Sequence, residues 1–259
     1  MYPQIKAYLN FLWHSKNEHG VHSPFVFSLV TKCFYDKKSK PEYAILNRFR
    51  TTLLQNKNQI SVTDFGAGSR VFKSNTRQIA QIARNAGISK KRARLLFRIV
   101  RYFQPDTILE IGTSLGLATS AMAAGNPKAN ITTIEGCPET ARIARENFTA
   151  FGHTNITPVI SEFQSYLDSV ANENKKYDLI YFDGNHQKEA TLHYFNSLLP
   201  TITNDSVWIF DDIHWSPEMD QAWQIIQQHP KVTVTIDTFQ WGFVFFRSEQ
   251  EKEHFTIRV

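Results

Sequence analysis

An apolar segment typical of a strand runs directly into a glycine turn at Thr107-Ile108-Leu109-Glu110-Ile111-Gly112-Thr113-Ser114-Leu115-Gly116. A second segment of this kind, residues 130–135, ends in Glu135, which follows Glu110 by 25 residues. The glycines let the backbone approach a ligand, and a carboxylate at the end of the next strand can accept hydrogen bonds from both hydroxyls of a ribose. The turn reads GxxxG rather than GxGxxG, so it lacks the close pyrophosphate cradle. The pattern by itself fits NAD as well as other adenosine cofactors.

Strand and helix patterns alternate from Asp106 onward, which predicts an α/β fold with a Rossmann-like, doubly wound, seven-stranded sheet. After the first two strands, further strand patterns lie at residues 157–160, 177–183, 206–211, 232–236 and 242–246. Only residues 237–241 join the last two strands, and this link is too short for a parallel crossover. The sheet is therefore expected to end in a C-terminal antiparallel hairpin.

The N-terminal part of the chain is predicted to be a basic, mainly helical cap over residues 1–88, followed by the α/β domain over residues 89–259. Residues 1–105 carry 19 lysines and arginines against 4 acidic residues, whereas the rest of the chain carries 10 against 20. This asymmetry favours either docking of a basic cap on an acidic body or an anionic partner. The segment Asp64 to Ser69 is the expected closing loop over the active site.

The cap contains apolar faces that predict burial. The first helix, expected from Pro3 to Ser15, places Ile5, Leu9, Leu12 and Trp13 on one face. No window of the chain approaches the roughly 20 apolar residues of a membrane span, and the first 20 residues lack a secretory pattern. With only two cysteines, the chain has no disulfide framework, and we expect a cytoplasmic protein.

Residues 89–259 resemble the class I S-adenosylmethionine-dependent methyltransferases. Glu110 to Gly116 matches the acidic residue and GxxxG turn of that family, and Glu135 matches its ribose-binding acid. Ser161-Glu162-Phe163 matches the segment that borders the adenine. The resemblance implies S-adenosylmethionine as cofactor, with binding residues at Glu110, Gly112, Thr113, Ser114, Gly116, Glu135, Gly136, Glu162, Phe163 and Asp183. A carboxylate such as Glu110 suits a cationic methionine moiety.

Three carboxylates follow the next two predicted strands. Asp183 ends one strand, and Asp211 and Asp212 end the other. The ends of adjacent strands would bring the three side chains together, and clustered carboxylates suit Mg²⁺, Mn²⁺ or Ca²⁺. A metal ion would lower the pKa of a bound hydroxyl and orient it. Asp183, Asp211 and Asp212 are therefore the predicted metal ligands, and backbone capping by Asp211 and Asp212 is the alternative.

Within the methyltransferases, these carboxylates resemble the metal-dependent O-methyltransferases of the catechol and caffeoyl-CoA type and the sugar O-methyltransferases of antibiotic pathways. The catechol-type enzymes carry Asp-Asn where this chain has Asp211-Asp212, as the sugar enzymes do. His186 stands where the catechol-type enzymes carry a basic lysine. Together with Asp183 it is the predicted catalytic pair, because an imidazole near neutrality suits a general base. His214 is a second candidate for this role.

The predicted function is metal-assisted O-methylation of a small-molecule hydroxyl. Two alternatives stay open: an RNA methyltransferase that uses the basic N-terminal region to hold phosphates, and a noncatalytic protein that binds S-adenosylmethionine. No motif identifies the acceptor, and a homodimer is compatible with the sequence.

Overall fold

The computed structural model describes residues 2–63, 74–170 and 175–259. The helices are α1 (Tyr2–His14), α2 (Pro24–Leu29), α3 (Glu42–Gln55), α4 (Ile79–Asn85), α5 (Lys90–Phe103), α6 (Leu117–Gly125), α7 (Pro138–Ala150), α8 (Phe163–Val170), α9 (Lys188–Leu198) and α10 (Pro217–Gln228). The strands are β1 (Gln59–Ser61), β2 (Thr76–Gln78), β3 (Thr107–Ile111), β4 (Asn130–Glu135), β5 (Ile156–Ile160), β6 (Leu179–Phe182), β7 (Val207–Asp211), β8 (Val234–Asp237), β9 (Trp241–Phe245) and β10 (Glu253–Thr256). A π-helical segment, Val30–Phe34, continues α2.

The chain divides into two compact units, one of residues 1–35 with 164–259 and the other of residues 36–163. The boundary predicted between residues 88 and 89 lies inside the second of these units, and the division into cap and domain stays a prediction. Residues 64–69, the predicted closing loop, lie outside the described residues.

In the unit of residues 36–163, the strands β3, β4 and β5 run parallel in that order. Ile111 lies opposite Ile134 in the register of the first pair, so the turn after β3 lies beside the end of β4. Helix α5 begins at its predicted cap, where Ser89 Oγ accepts from Arg92 N at 3.2 Å. It packs closely on α6, a helix rich in small residues. A Cβ on Gly125 of α6 would lie only 2.8 Å from Phe97 O of α5, so glycine permits this close approach.

Helix α3 completes the core of this unit through aromatic contacts. The ring of Tyr43 packs edge-on against Phe97 at a centroid distance of 5.4 Å, and Phe49 packs against Phe151 at 4.8 Å. The strands β1 and β2 form a separate antiparallel pair. Apart from these two short strands, the regular structure in the described part of residues 1–88 is helical, as predicted.

In the unit of residues 1–35 and 164–259, β6 and β7 are parallel, and β9 is antiparallel to both β7 and β8. The predicted C-terminal hairpin is confirmed. An eighth strand of the main sheet, β10, lies parallel to β8 and was not predicted, because its sequence Glu-His-Phe-Thr has one buried apolar residue, Phe255. Helix α8 was also missed.

The N-terminal segment packs on this hairpin. Phe25 contacts Phe245 at a ring distance of 5.0 Å, and Phe34 contacts Phe243 at 5.1 Å. Lys16 N also donates to Thr256 O at 2.8 Å, so the backbone after α1 pairs with the end of β10.

The expected burial of the apolar face of α1 is wrong. Phe11 is buried and Leu12 is half-buried, but Ile5, Leu9 and Trp13 are 52%, 61% and 88% exposed. A helical period shows that two faces differ, but it does not show which face meets the core when both carry apolar residues. Across the described residues, no helix has the length and hydrophobicity needed to cross a membrane.

Candidate cofactor and acceptor sites

The glycine turn after β3 has a backbone that side chains other than glycine rarely adopt. Gly112 has a φ of 103° and Gly116 a φ of 81°. The amides of Gly112 and Thr113 both donate to Ile134 O at 3.0 Å, which joins the turn to β4. A Cβ on Gly116 would lie 2.4 Å from the ring of Phe148, so this glycine also permits contact between the turn and α7.

Glu135, the predicted ribose-binding acid, lies at the end of β4 and directly contacts the glycine turn. Its Oε2 accepts from Ser114 N at 2.8 Å, and its Oε1 accepts from Cys137 N at 2.9 Å. Ser114 has a φ of 48°, which turns its amide toward the carboxylate. The two elements that carry the predicted cofactor motif are thus held together, with Glu135 half-buried between them.

The segment after β5 lies beside the end of β4. Ser161 N donates to Glu135 O at 3.1 Å, which places the following residues next to the predicted ribose-binding acid. Glu162 is exposed, and Phe163 is half-buried at the start of α8. Gly136 is half-buried next to Glu135 in the chain. The predicted adenine-side residues therefore share one edge of the parallel strands with the glycine turn.

Glu110 lies beneath the turn rather than at its surface, with 0% exposure. Its Oε2 accepts from the hydroxyls of Thr119 and Thr133, both at 2.5 Å, and Thr133 in turn contacts the hydroxyl of Thr113. Burial raises the pKa of Glu110 to about 8, although the two threonine hydrogen bonds act to lower it. Glu110 is placed to position the turn through Thr133 and Thr113. The sequence motif did not reveal these threonine contacts, because they come from three different elements.

The predicted catalytic pair follows β6 in the other unit. His186 Nε2 lies 3.7 Å from Asp183 Oδ1, which is an ion-pair distance but too long for a direct hydrogen bond. Both side chains are partly accessible, at 25% for His186 and 19% for Asp183. The turn between them includes Asn185, which has a φ of 51°. Its side-chain Nδ2 donates to Tyr194 OH at 3.4 Å. The structure brings these two predicted residues together.

Asp211 is the last residue of β7, the parallel neighbour of β6, and Asp212 follows it directly. Asp211 is 5% exposed, and its carboxylate accepts from Tyr181 OH at 3.1 Å and from Asp212 N at 2.8 Å. Asp212 has a φ of 52°, and its amide also donates to Gln240 O at 2.7 Å. Asp211 thus receives backbone and side-chain donors, as in the capping alternative.

The predicted metal site is not supported by this arrangement. Within residues 2–63, 74–170 and 175–259, no group of three or more His, Cys, Asp or Glu side chains is placed to hold a metal ion. The donors around Asp211 are hydroxyl and amide protons, which compete with a cation for its oxygens. We derive no step through a metal, and metal dependence stays a prediction.

His214, the second candidate base, is held between two carboxylates. Its Nε2 donates to Asp237 Oδ2 at 2.8 Å, its Nδ1 donates to Asp220 Oδ1, and its ring stacks on Phe239. Burial lowers the pKa of His214, but the hydrogen bonds and charges of Asp220 and Asp237 outweigh burial and raise it to about 9. An imidazolium at neutral pH with both nitrogens engaged is unsuited to remove a proton, so His186 is the better placed histidine.

The basic side chains of α5 contact α3. Arg101 pairs with Glu42 at 2.8 Å, and the guanidinium of Arg94 lies 4.8 Å from the ring centre of Tyr43. Arg98 lies 3.5 Å from Tyr43 OH. These contacts show that Arg94, Arg98 and Arg101 of α5 interact within their own unit.

Comparison with known proteins supports the class inferred from the glycine turn. Residues 109–213 match the family model described as a methyltransferase domain, and no curated protein sequence matches the chain. The fold is similar to that of the S-adenosylhomocysteine-bound methyltransferase PaMTH1 from Podospora anserina, with a TM-score of 0.60, 14% identity, and coverage of 88% of this chain and 97% of that one.

Two further structures are named as O-methyltransferases. One, from Bacillus cereus in complex with S-adenosylhomocysteine, has a TM-score of 0.54 and 18% identity over 82% of this chain and 92% of that one. The other is TomG from Streptomyces achromogenes, involved in tomaymycin synthesis and bound to S-adenosylmethionine. It has a TM-score of 0.56 and 16% identity over 63% of this chain and 83% of that one.

The predicted Rossmann-like α/β methyltransferase fold is confirmed, with mostly parallel strands, flanking helices and N-terminal helices. The match of residues 109–213 to a methyltransferase domain also confirms the predicted class of enzyme, a methyltransferase.

Proposed function

We propose that this protein transfers the methyl group of S-adenosylmethionine to a hydroxyl oxygen of a small molecule. The observation that carries the proposal is the bond between the glycine turn and Glu135, in which Ser114 N donates to the carboxylate at 2.8 Å. This bond joins Glu135, the acid that we propose binds the ribose, to a turn whose glycines allow close approach of a ligand. The methyltransferase and O-methyltransferase names of the similar structures support the reaction type.

The residues of the turn fit this cofactor. The segment from Gly112 to Gly116 reads GxxxG and lacks the close backbone approach of a GxGxxG turn to a pyrophosphate, which suits S-adenosylmethionine better than a dinucleotide. In the bound state, Glu135 accepts hydrogen bonds from the ribose, and Gly136, Glu162 and Phe163 lie on the adenine side. The buried Glu110 maintains the shape of the turn.

His186 is the general base for the acceptor. S-adenosylmethionine, when bound, supplies an electrophilic methyl group. His186 removes the proton of the acceptor hydroxyl as that oxygen becomes methylated, and the carboxylate of Asp183 favours the imidazolium that forms. The 3.7 Å between the two side chains allows this charge pairing without fixing the ring. His186 and Asp183 thus contribute to the reaction by positioning the acceptor hydroxyl and removing its proton.

Cofactor binding is tested by titrating S-adenosylhomocysteine in a calorimeter. Glu135→Ala removes hydrogen bonds to a charged group, worth about 1.5–3 kcal/mol each, so binding is expected to weaken at least tenfold. The exposed acid Glu139 supplies the control, because Glu139→Ala leaves the turn intact and should not change the affinity. Equal affinity of Glu135→Ala and the parent protein would place the ribose elsewhere.

Methyl transfer is tested with radiolabelled S-adenosylmethionine and fractionated cell extract, with and without EDTA. Label in small-molecule fractions that is lost in His186→Asn but kept in Glu139→Ala supports the proposal. Label in RNA, or cofactor binding without transfer to any fraction, supports one of the two alternatives. Loss of transfer in EDTA with rescue by Mg²⁺ would establish the predicted metal.

A further inference from the structure

A cleft of about 360 Å³ lies in the unit of residues 1–35 and 164–259. Ile5, Tyr8 and Leu9 of α1 form one wall, Phe239 of the β8–β9 turn contributes a second, and Asp212 and His214 follow β7. Ligands of α/β proteins bind beyond the carboxyl ends of the parallel strands, and Asp212 comes directly after β7. The cleft thus lies where an acceptor is expected, and its size suits a small organic molecule.

The α1 wall of the cleft is apolar but poorly covered. Ile5, Tyr8 and Leu9 are 52%, 45% and 61% exposed, although the rings of Tyr8 and Phe11 both pack on Phe239. Clustered exposed apolar side chains on a folded protein commonly mark a binding surface. A ligand in the cleft would cover these three side chains.

The other end of the cleft is polar and fixed in place. The ring of His214 is held by Asp220 and Asp237 and stacks on Phe239 at a centroid distance of 5.2 Å. The backbone of Asp212 is held by Gln240 O. His214 therefore positions the loop that carries Asp212. The Asp212 carboxylate can accept a hydrogen bond from a hydroxyl of the ligand.

We propose that this cleft binds the methyl acceptor, and that the acceptor is a small amphipathic molecule with an apolar or aromatic body against α1 and a hydroxyl end toward Asp212. This inference rests on the function proposed above. It follows from the arrangement of the lining, which apart from Gln4 is apolar on α1 and at Phe239, and which carries its charged groups, Asp212 and His214, after β7. Asp183 and His186 follow β6, the parallel neighbour of β7, so the proposed base is carried by the strand next to the one that Asp212 follows.

The test uses 4-methylphenol, 4-butylphenol and 4-hexylphenol as probes, titrated into the full chain by calorimetry. Each methylene that reaches the α1 wall should strengthen binding about fourfold. Leu9→Lys and Ile5→Lys should each weaken binding of 4-hexylphenol at least tenfold. Ile225→Lys is the matched control, because Ile225 is 45% exposed in the same unit and does not line the cleft. Asp212→Asn should weaken all three phenols by a similar factor.

The same variants are titrated with S-adenosylhomocysteine, which separates this inference from the proposed function. If the parent protein binds no S-adenosylhomocysteine, the proposed function fails. If it binds S-adenosylhomocysteine while 4-hexylphenol binds Leu9→Lys as tightly as the parent, the acceptor cleft is wrong. Loss of dimers or of binding to anionic lipid vesicles in Leu9→Lys, with unchanged phenol binding, would also overturn the proposal and assign this face to a second copy or a membrane.

Discussion

A carboxylate with no exposed surface supports the glycine turn of the cofactor site. Glu110 is surrounded by the hydroxyls of Thr119 and Thr133, and burial raises its pKa to about 8. A carboxyl group of this kind binds its proton more tightly in the folded chain than in the unfolded chain. Its contribution to stability therefore depends on pH.

Replacing Glu110 by Gln should remove this pH dependence. Because the folded-state pKa is raised, the parent protein loses stability as the pH rises from about 4.5 to about 8, relative to Glu110→Gln. We expect similar free energies of unfolding near pH 5, and a gain of a few kcal/mol for the variant at pH 9. Urea unfolding at several pH values measures this, with the exposed Glu139→Gln as control. Parallel curves for Glu110→Gln and the parent would show that Glu110 titrates normally.

His214 also makes the stability of the folded protein fall as the pH rises, but over a higher pH range than Glu110. Its folded-state pKa of about 9 lies above the ordinary histidine value, so its stabilisation is complete below about pH 6.5 and is lost as the pH rises through 9. Relative to His214→Gln, the parent should lose on the order of 2 kcal/mol over this window, because the partly exposed Asp220 is screened by solvent. Thermal unfolding at pH 6 and pH 9.5 checks this, with the exposed His22→Gln as control. An equal loss of stability in the parent protein and in His214→Gln would show that Asp220 and Asp237 do not raise the pKa of His214.

At the scale of elements, the cofactor turn depends on how closely α7 approaches the start of α6. Gly116 precedes α6 with a φ of 81°, and the ring of Phe148 from α7 fills the space that a Cβ would need. Backbone conformation and packing therefore both require glycine here. Experiment can separate the effect of the positive φ from the effect of packing. Gly152 has a similar φ of 71°, but a Cβ built on it would have no atom within 4 Å.

Gly116→Ala should destabilise the protein more than Gly152→Ala. The positive φ costs about 1–2 kcal/mol at either position, and overpacking against Phe148 adds about 1–3 kcal/mol at Gly116 alone. Chemical denaturation of both variants gives the difference, and calorimetry with S-adenosylhomocysteine should show weaker binding only for Gly116→Ala. Equal destabilisation would mean that Phe148 moves aside without cost.

At the scale of the whole molecule, the first 35 residues belong to the same compact unit as the C-terminal strands. Phe25 and Phe34 cover Phe245 and Phe243, and the backbone of Lys16 pairs with residues 256–258. Apolar burial stabilises by about 25 cal/mol per Å², so these aromatic contacts dominate over the few surface ion pairs of the segment. The N-terminal segment is therefore integral to its unit.

Deleting residues 1–35 should expose Phe243 and Phe245 of β9. We expect an aggregation-prone protein with raised binding of an apolar dye and without a cooperative thermal transition. Trp13→Ala is the control, because Trp13 is 88% exposed and its loss should shift the transition little. A truncated chain that stays soluble and unfolds at the parental temperature would show that the segment is an appendage.

The sequence by itself determined the parts of this protein whose reasons are local. Glycines at Gly112 and Gly116 mark backbone that only glycine adopts easily, Glu135 follows at the spacing of the next strand end, and the short link of residues 237–241 permits only an antiparallel hairpin. The observed turn, acid and hairpin lie where those constraints predict them. The predicted proximity of Asp183 and His186 likewise follows from their separation of three residues.

Only the tertiary structure decided the features that depend on residues distant in the chain. The surroundings of Glu110 come from three elements, the partners of His214 come from α10 and β8, and the exposed face of α1 was set by the meeting of Phe11 with Phe239. A sequence pattern records which residues are apolar or charged, but burial, pKa and access to a cleft depend on which of them meet. The physical reason is that desolvation and hydrogen bonding arise from neighbours in space rather than from neighbours along the chain.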